Sequence, residues 1–407
     1  MADVSVSLVA RRGRRPESVW STLRALNLLI SSGEASGDLH GARLLKALRR
    51  RRPDVSAFGM GGPRLAAEGL LRVARSEEVA VVGFSEVFEK VPALWRALRS
   101  LSNRVRRERP EGAVLIDFPD FHVMLAKRLR RARVPVIYYI SPQVWAWRAG
   151  RARVIAERAR RIITLFPFEA DIYRKLGADA VWAGHPLVDD VREGLERPSP
   201  LPAKSRRRLL LLPGSRTAEL SRHWRPMAEA ASRLAARFDL EVVAVRAAGL
   251  PDKLFRGASE LGIRIVDSGI HPLLASADLV FVASGTATLE AALCGAPMIV
   301  VYRTSPASYA IGRSFVRLRW ISLVDIVAEE EVVPELLQGD VTADRLEKEG
   351  EALLTSPERL QKTREGLGRV ARALGPPGAS ERAAEAVLEA VQAPSHRAAT
   401  ATTGPSS

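Results

Sequence analysis

Residues 279–290 read Leu279-Val-Phe-Val-Ala-Ser-Gly-Thr-Ala-Thr-Leu-Glu290. A short unbroken apolar run is what a strand buried on both faces of a parallel sheet requires. The small-residue turn after it opens a helix with Glu290 one turn in. The first-turn N–H groups of a helix have no partner inside it and, with the helix dipole, favour an anion. Gly285 and Ala287 let a diphosphate approach the backbone, and Ser284, Thr286 and Thr288 add hydroxyl donors. Glu290, four residues beyond Thr286, lies on the same helix face, where a carboxylate can accept from both hydroxyls of a ribose. By itself the segment fits a nucleotide diphosphate or simply a capped helix in an α/β domain.

The same alternation of β-rich runs and helical patterns extends outward in both directions. Strands are expected at Leu26–Ser31, Ser56–Gly59, Ala113–Ile116, Val136–Ile140 and Ile162–Phe166, with helices at Asp38–Arg51 and Phe121–Arg131 between them. Further strands are expected at Arg208–Leu212, Glu241–Val245, Arg264–Val266, Leu279–Ala283 and Met298–Tyr302. Such βαβ alternation predicts an α/β protein of two doubly wound, Rossmann-like domains facing a cleft, with ligands at the carboxyl ends of the strands. Arg197-Pro-Ser-Pro-Leu-Pro202 is stiff and polar, as a linker is. The expected division is a basic, disordered extension over 1–25, a first domain over 26–186 and a linker over 187–207. A second domain over 208–375, a terminal helix over 376–393 and a disordered tail over 394–407 follow.

The chain of 407 residues is 47% hydrophobic, and no apolar run approaches the roughly 18 residues that span a bilayer. Its one cysteine, Cys294, excludes an internal disulfide and points to a reducing compartment. The net charge of +16 is unevenly placed. Residues 1–186 hold 34 Lys and Arg against 18 Asp and Glu, whereas the remainder holds 28 of each. The first half should therefore meet something anionic: a phosphorylated ligand, an acidic membrane surface or nucleic acid.

Chemistry-bearing residues cluster at the expected strand ends. Ser32-Gly-Glu-Ala-Ser-Gly-Asp38 opens a helix but lacks the dinucleotide-binding glycine spacing. In Asp117-Phe-Pro-Asp-Phe-His122, Asp120 is expected to cap the following helix, which leaves Asp117 as the candidate general base. Ser141-Pro-Gln-Val-Trp-Ala-Trp-Arg148 sets Trp145 and Arg148 on a cleft wall or in packing. His185, in Ala183-Gly-His-Pro186, suits a hydrogen-bonded structural role or the cleft. Pro213-Gly-Ser-Arg216 places a guanidinium, whose fork suits phosphate oxygens, at the start of the second half. No residue spacing fits a metal site, and no Walker lysine pattern occurs.

Taken together, GEASGD at 33–38, DFPDF at 117–121, SPQVWAWR at 141–148, GHPL at 184–187, LLPGSR at 211–216, SGTATLE at 284–290 and VVPELLQ at 332–338 resemble the lipid-A-disaccharide synthase family over Leu26 to Gln392. The resemblance implies the two-domain fold of GT-B glycosyltransferases and an inverting transfer. The donor would be UDP-2,3-diacylglucosamine, the acceptor 2,3-diacylglucosamine 1-phosphate, and the products a β-1,6-linked disaccharide 1-phosphate and UDP. It implies Asp117 as base and Arg216, the 284–288 turn and Glu290 on UDP. Gly33, Glu34, Ser36, Asp120, Trp145, Arg148 and His185 would lie on the acceptor side or the cleft. No cofactor and no nucleic acid are implied, and the protein would be cytoplasmic, peripheral on the anionic inner membrane surface. Phe88, Val91, Leu94, Trp95 and Leu98 recur at helical spacing among arginines. They suit a membrane interface, or a helix facing the core.

Three positions depart from the family's usual pattern: Leu323-Val-Asp325 replaces a Leu-Pro-Asn triplet, Glu329-Glu330 replaces a cation, and His122 replaces an asparagine. Beside a degenerate binding protein that keeps the fold without catalysis, which Asp325 and Glu329 suggest, two competing readings stay in view. One is a UDP-sugar epimerase or another UDP-GlcNAc transferase of the same fold; the other is a nucleic-acid-binding protein.

Overall fold

The computed structural model describes residues 25–79, 87–142, 149–305, 309 and 319–393, without the side chains of 87–89 and 149. The expected terminal extension and tail lie outside these residues, apart from the single position 25. Two parallel sheets organise the described chain. The first contains β1 (Asn27–Ser32), β2 (Ser56–Gly61), β3 (Leu71–Arg75), β4 (Gly112–Ile116), β5 (Val136–Tyr139), β6 (Arg161–Thr164) and β7 (Ala180–Trp182). Its order is β3-β2-β1-β4-β5-β6-β7. The second contains β8 (Arg207–Leu212), β9 (Leu240–Val245), β10 (Ile263–Val266), β11 (Leu279–Ala283), β12 (Met298–Tyr302) and β13 (Glu335–Leu337), in the order β10-β9-β8-β11-β12-β13.

The unbroken apolar runs have a direct cause. Successive side chains of β4 enter opposite cores: Val114 and Ile116 join one cluster, Ala113 and Leu115 the other. β11 does the same, with Leu279, Phe281 and Ala283 on one face and Val280 and Val282 on the other. A strand covered by helices on both faces cannot alternate with polar residues. The strands that sequence reading missed, β3, β7 and β13, are short sheet edges with half-exposed positions, so each lacks such a run.

In both sheets the strands are parallel and the order in which they are added reverses between two neighbours, β1 and β4 in the first and β8 and β11 in the second. The loops leaving these strands therefore diverge and open a crevice at the strand ends. Two connections differ from expectation. Within the expected linker, Leu187–Leu195 is a helix whose Leu187 and Val191 join the core of the second sheet. The last helix, Ala379–Gln392, returns to the first sheet, where Ala383, Ala384, Val387 and Ala390 pack with β1 and β4. Asp189 accepts the N–H groups of Gly378 and Ala379 at the start of that helix, at 2.7 and 3.2 Å.

Candidate active site

At the first crevice β4 ends on an elbow. Asp117 and Phe118 have φ of 48° and 47°, two consecutive non-glycine residues in the left-handed region. Each costs on the order of 1–3 kcal/mol and persists only where its surroundings impose it. The surroundings are specific here. The Asp117 carbonyl accepts from Tyr138 Oη at 2.9 Å and contacts His122 Nδ1 at 2.6 Å, while His122 Nε2 lies 2.9 Å from Ser31 Oγ. The pattern assigns the proton to Nδ1, so that Nε2 accepts from Ser31, and burial keeps the imidazole neutral by lowering its pKa to about 4. The Phe118 ring lies over Gly33, where a Cβ would come within 2.3 Å of it. Glycine is thus required at position 33 by close approach.

This elbow leaves the Asp117 carboxyl half-buried at the strand end. Burial first, and the nearby Glu34 carboxylate second, raise its pKa to about 6, against a hydrogen bond from the Phe118 backbone. A carboxylate of that basicity is ionised at neutral pH and close enough to it to accept a proton effectively. Glu34 and Ser36 are exposed beside it at the start of the helix Ala35–Arg51. Asp38 is instead structural: its carboxylate accepts from the N–H groups of Gly62, Arg64 and Leu65.

Contrary to the expectation from the sequence, Asp120 does not cap its helix. Phe118 holds the N-cap position, because the left-handed elbow starts the helix Pro119–Arg131 two residues before the expected Phe121, and Asp120 lies exposed in an ion pair with Arg151. His185 is buried as a joint. Its Nδ1 accepts from Leu187 N–H at 3.1 Å, its backbone N–H donates to the Leu374 carbonyl at 2.9 Å, and burial lowers the imidazole pKa to about 4. Trp145 and Arg148 lie outside the described residues.

At the second crevice, the turn after β8 places Arg216 at the N-cap of the helix Thr217–Phe238, with its side chain 79% exposed and paired to Glu219 at 2.8 Å. Gly285 precedes the helix Thr286–Leu293 with φ 150° and ψ −163°, a conformation essentially restricted to glycine. A Cβ there would meet no atom within 4 Å, so the turn is open. The first-turn N–H groups of Thr286 and Ala287 have no partner within the helix.

Two of the three expected hydroxyl donors are already committed. Ser284 Oγ donates to the Ile321 carbonyl at 3.0 Å, and the buried Thr288 Oγ1 donates to the Gly285 carbonyl at 2.7 Å. Thr286 is exposed. Glu290 is half-buried, 3.3 Å from His271 Nε2.

Sequence reading passed over His271, which orients Glu290, and His223, which joins two turns. His223 Nδ1 contacts the Pro213 carbonyl at 3.0 Å, and Nε2 accepts from Arg303 N–H at 3.0 Å. Neither histidine stands in a recognisable motif; only folding brings the partners together.

The comparisons with known proteins fit this geometry. The sequence profile of the lipid-A-disaccharide synthetase family matches residues 28–390. The chain belongs to that family. It is 40% identical over 383 residues to a lipid-A-disaccharide synthase of Myxococcus xanthus, covering 89% of this chain and 97% of that one. A lipid-A-disaccharide synthase of Geobacter metallireducens is 40% identical over 370 residues, covering 89% and 96%. The fold is that of GT-B glycosyltransferases. The calicheamicin glycosyltransferase structure superposes with a TM-score of 0.62 at 14% identity, covering 91% of this chain and 99% of that one. The UDP-GlcNAc 2-epimerase from Neisseria meningitidis, bound to UDP-GlcNAc, superposes with a TM-score of 0.56 at 11% identity, covering 90% and 99%.

The amphipathic segment proves to be the helix Val87–Glu108. Leu98 is only 1% exposed and belongs to the core with Leu101 and Val105, so it does not face a membrane; Leu94 packs half-buried on the same core. Positions i, i+4, i+7 and i+11 share one face of a helix, and the core takes the 94/98/101/105 row while 91/95 lies at its edge. Val91 and Trp95 form the outward row, 39% and 55% exposed, and Met124 on the neighbouring helix is 40% exposed. Phe88 lies outside the described side chains.

Proposed function

We propose that this protein transfers the acylated sugar of UDP-2,3-diacylglucosamine to the 6-hydroxyl of 2,3-diacylglucosamine 1-phosphate, forming a β-1,6-linked disaccharide 1-phosphate. The observation that carries this reading, within the family, is the pinned Asp117 elbow: a carboxyl of raised basicity at the crevice of the first sheet. Asp117 takes the proton of the 6-hydroxyl as that oxygen bonds to the anomeric carbon. The bond from that carbon to the diphosphate oxygen breaks on the opposite face, which inverts the configuration. General base catalysis of this kind is worth on the order of 10²–10⁴-fold. The charge developing on UDP meets the open first turn at Thr286 and Ala287 and the exposed Arg216. Glu290, held by His271, receives the ribose hydroxyls. Gly33, Glu34 and Ser36 border the acceptor side.

The protein is proposed to work at the anionic inner membrane surface from the cytoplasmic side. Among the described residues no helix is long and apolar enough to cross a membrane. Support for the surface reading comes from Val91, Trp95 and Met124. Beside them a groove of about 530 Å³ is rimmed by Arg106, Arg128 and Arg131, and the Arg128 guanidinium lies 5.8 Å from the Trp95 ring centre.

The deciding experiment supplies purified protein with both acylated substrates and follows UDP and disaccharide together. Disaccharide from the wild type, and none from a folded Asp117→Asn variant, supports the reading. Turnover of unacylated UDP-GlcNAc alone would overturn it in favour of an epimerase or a different transferase.

A further inference from the structure

Asp325 is fully buried on the short helix Leu323–Ala328, which follows Ile321, the acceptor of the Ser284 hydroxyl. Its Oδ1 accepts from the N–H groups of Val332 and Val333 at 2.7 and 3.1 Å. Its Oδ2 is equally buried and meets no donor among the described residues. The side chain against it belongs to Glu335, at the start of β13. Glu335 is likewise satisfied by backbone on one side. It accepts from Ile321 N–H at 3.0 and 3.1 Å on its two oxygens, and from Ser322 N–H at 2.6 Å.

Two carboxyls thus meet acceptor to acceptor in a dry environment. If both are ionised they repel at close range, whereas one proton converts the contact into a short O–H···O bond. The contact also has mechanical consequences. The Ile321 carbonyl, whose N–H rests on Glu335, is the acceptor of the Ser284 hydroxyl. Ser322 caps the Asp325 helix through the Val324 N–H.

We propose that Asp325 and Glu335 share one proton, and that the bond it makes is a positioning device that holds Ile321 and Ser322 in place and, through them, Ser284 of the donor turn. The proposal rests on the reading of that turn as the UDP site.

The surroundings leave the pair to itself. Leu289, Ala292, Val333, Leu367 and Val370 fill the core around the neighbouring Val324. Of the charged groups on the packed helices, Glu290 on Thr286–Leu293 is held by His271, and Arg369 on Pro357–Ala373 pairs with Glu330. Glu329 caps the Asp325 helix at its far end. Burial raises the Asp325 pKa to about 7, with the Glu335 carboxyl adding to it and the two backbone hydrogen bonds opposing. An opened segment would release the proton in the ordinary carboxylate range near 4. Opening therefore becomes easier as pH rises from about 4 to about 7 and levels off above that.

The test measures UDP affinity by calorimetry at pH 5.5 and pH 8.5 for the wild type, Asp325→Asn and Glu335→Gln. Hydrogen-exchange protection of the Ile321, Ser322, Val332 and Val333 amides is followed in parallel. The titration of UDP itself is common to all three proteins and cancels in the comparison. The expected result is a loss of affinity at the higher pH about tenfold greater in the wild type than in either variant. Protection at Ile321 and Ser322 should fall with pH in the wild type alone. Identical pH profiles in all three proteins, or wild-type protection that ignores pH, would overturn the proposal. Should a variant fail to fold, the wild-type exchange profile decides. Absence of UDP binding at every pH would defeat the donor-site reading instead, and the exchange data would still judge the shared proton.

Discussion

The two crevices are built with the same device and used oppositely. At each, a buried neutral histidine pins a carbonyl at a strand end with Nδ1 and accepts through Nε2 from a second element. His122 ties the Asp117 carbonyl to Ser31, and His223 ties the Pro213 carbonyl to Arg303 N–H. In the first crevice the pinning holds a strained, crowded elbow that aims one carboxyl. In the second it frames an open turn whose useful groups are backbone N–H groups. On the proposed reading the difference follows from the roles: a catalytic base must be held in one direction, whereas a diphosphate needs only access to dipoles already fixed by a helix.

The sharpest break of this comparison is Asp117→Asn. It should lower kcat by about 10²–10⁴-fold while leaving the melting temperature and UDP affinity near wild type, measured by disaccharide formation, thermal unfolding and calorimetry. An equally large kcat loss from Glu290→Gln would erase the distinction between the crevices.

The next test sets the two glycines against each other. Gly33→Ala pushes a Cβ into the Phe118 ring and should cost about 1–3 kcal/mol, together with a drop in kcat. Pairing it with Phe118→Leu should recover part of both. Gly285→Ala meets empty space but an unfavourable backbone, and should cost about 1–3 kcal/mol that no neighbouring substitution restores. Denaturant unfolding of the single and double variants separates the two causes.

Smaller effects follow for the orienting residues. His271→Ala should raise the donor KM about 10-fold or a little more, from a lost hydrogen bond to a charged group worth about 1.5 kcal/mol, with kcat little changed in steady-state kinetics. The smallest effect expected is a shift of the acid limb. Activity should rise with pH through about 6 as Asp117 ionises. Glu34→Gln removes a neighbouring negative charge, so the limb should move to lower pH in a profile of kcat/KM; movement upward would contradict the assigned sign.

Stability offers a parallel check. His40, His122 and His185 are held neutral by burial, with pKa values lowered to about 4. The unfolded chain binds protons that the native state refuses, so stability should fall as pH drops from about 6.5 to about 4. The melting temperature of His122→Asn should decline less steeply than that of the wild type across that window.

Much of the architecture was legible in the residues. β4 and β11 announce themselves because covered strands must be apolar at every position, and Asp117 stands out because it follows such a run directly. The glycine turn at 284–288 is legible for the same reason. The edges β3, β7 and β13 were not, since an edge strand is defined by its neighbour more than by its own side chains. Nor was the return of Ala379–Gln392 to the first sheet, whose alanine stripe reads equally well against any core.

The sequence by itself determined the two doubly wound sheets, the family, and the strand ends where chemistry gathers, because burial on both faces writes itself into every residue of a strand. Only the tertiary structure decided which groups at those ends are free. Ser284 and Thr288 spend their hydroxyls on carbonyls, Leu98 turns into the core while Trp95 turns out, and Asp120 yields the helix start to Phe118. The physical reason is that a hydrogen bond or a burial belongs to a pair of groups. Its second member, such as Ile321 for Ser284 or Glu335 for Asp325, is chosen by folding and not by proximity along the chain.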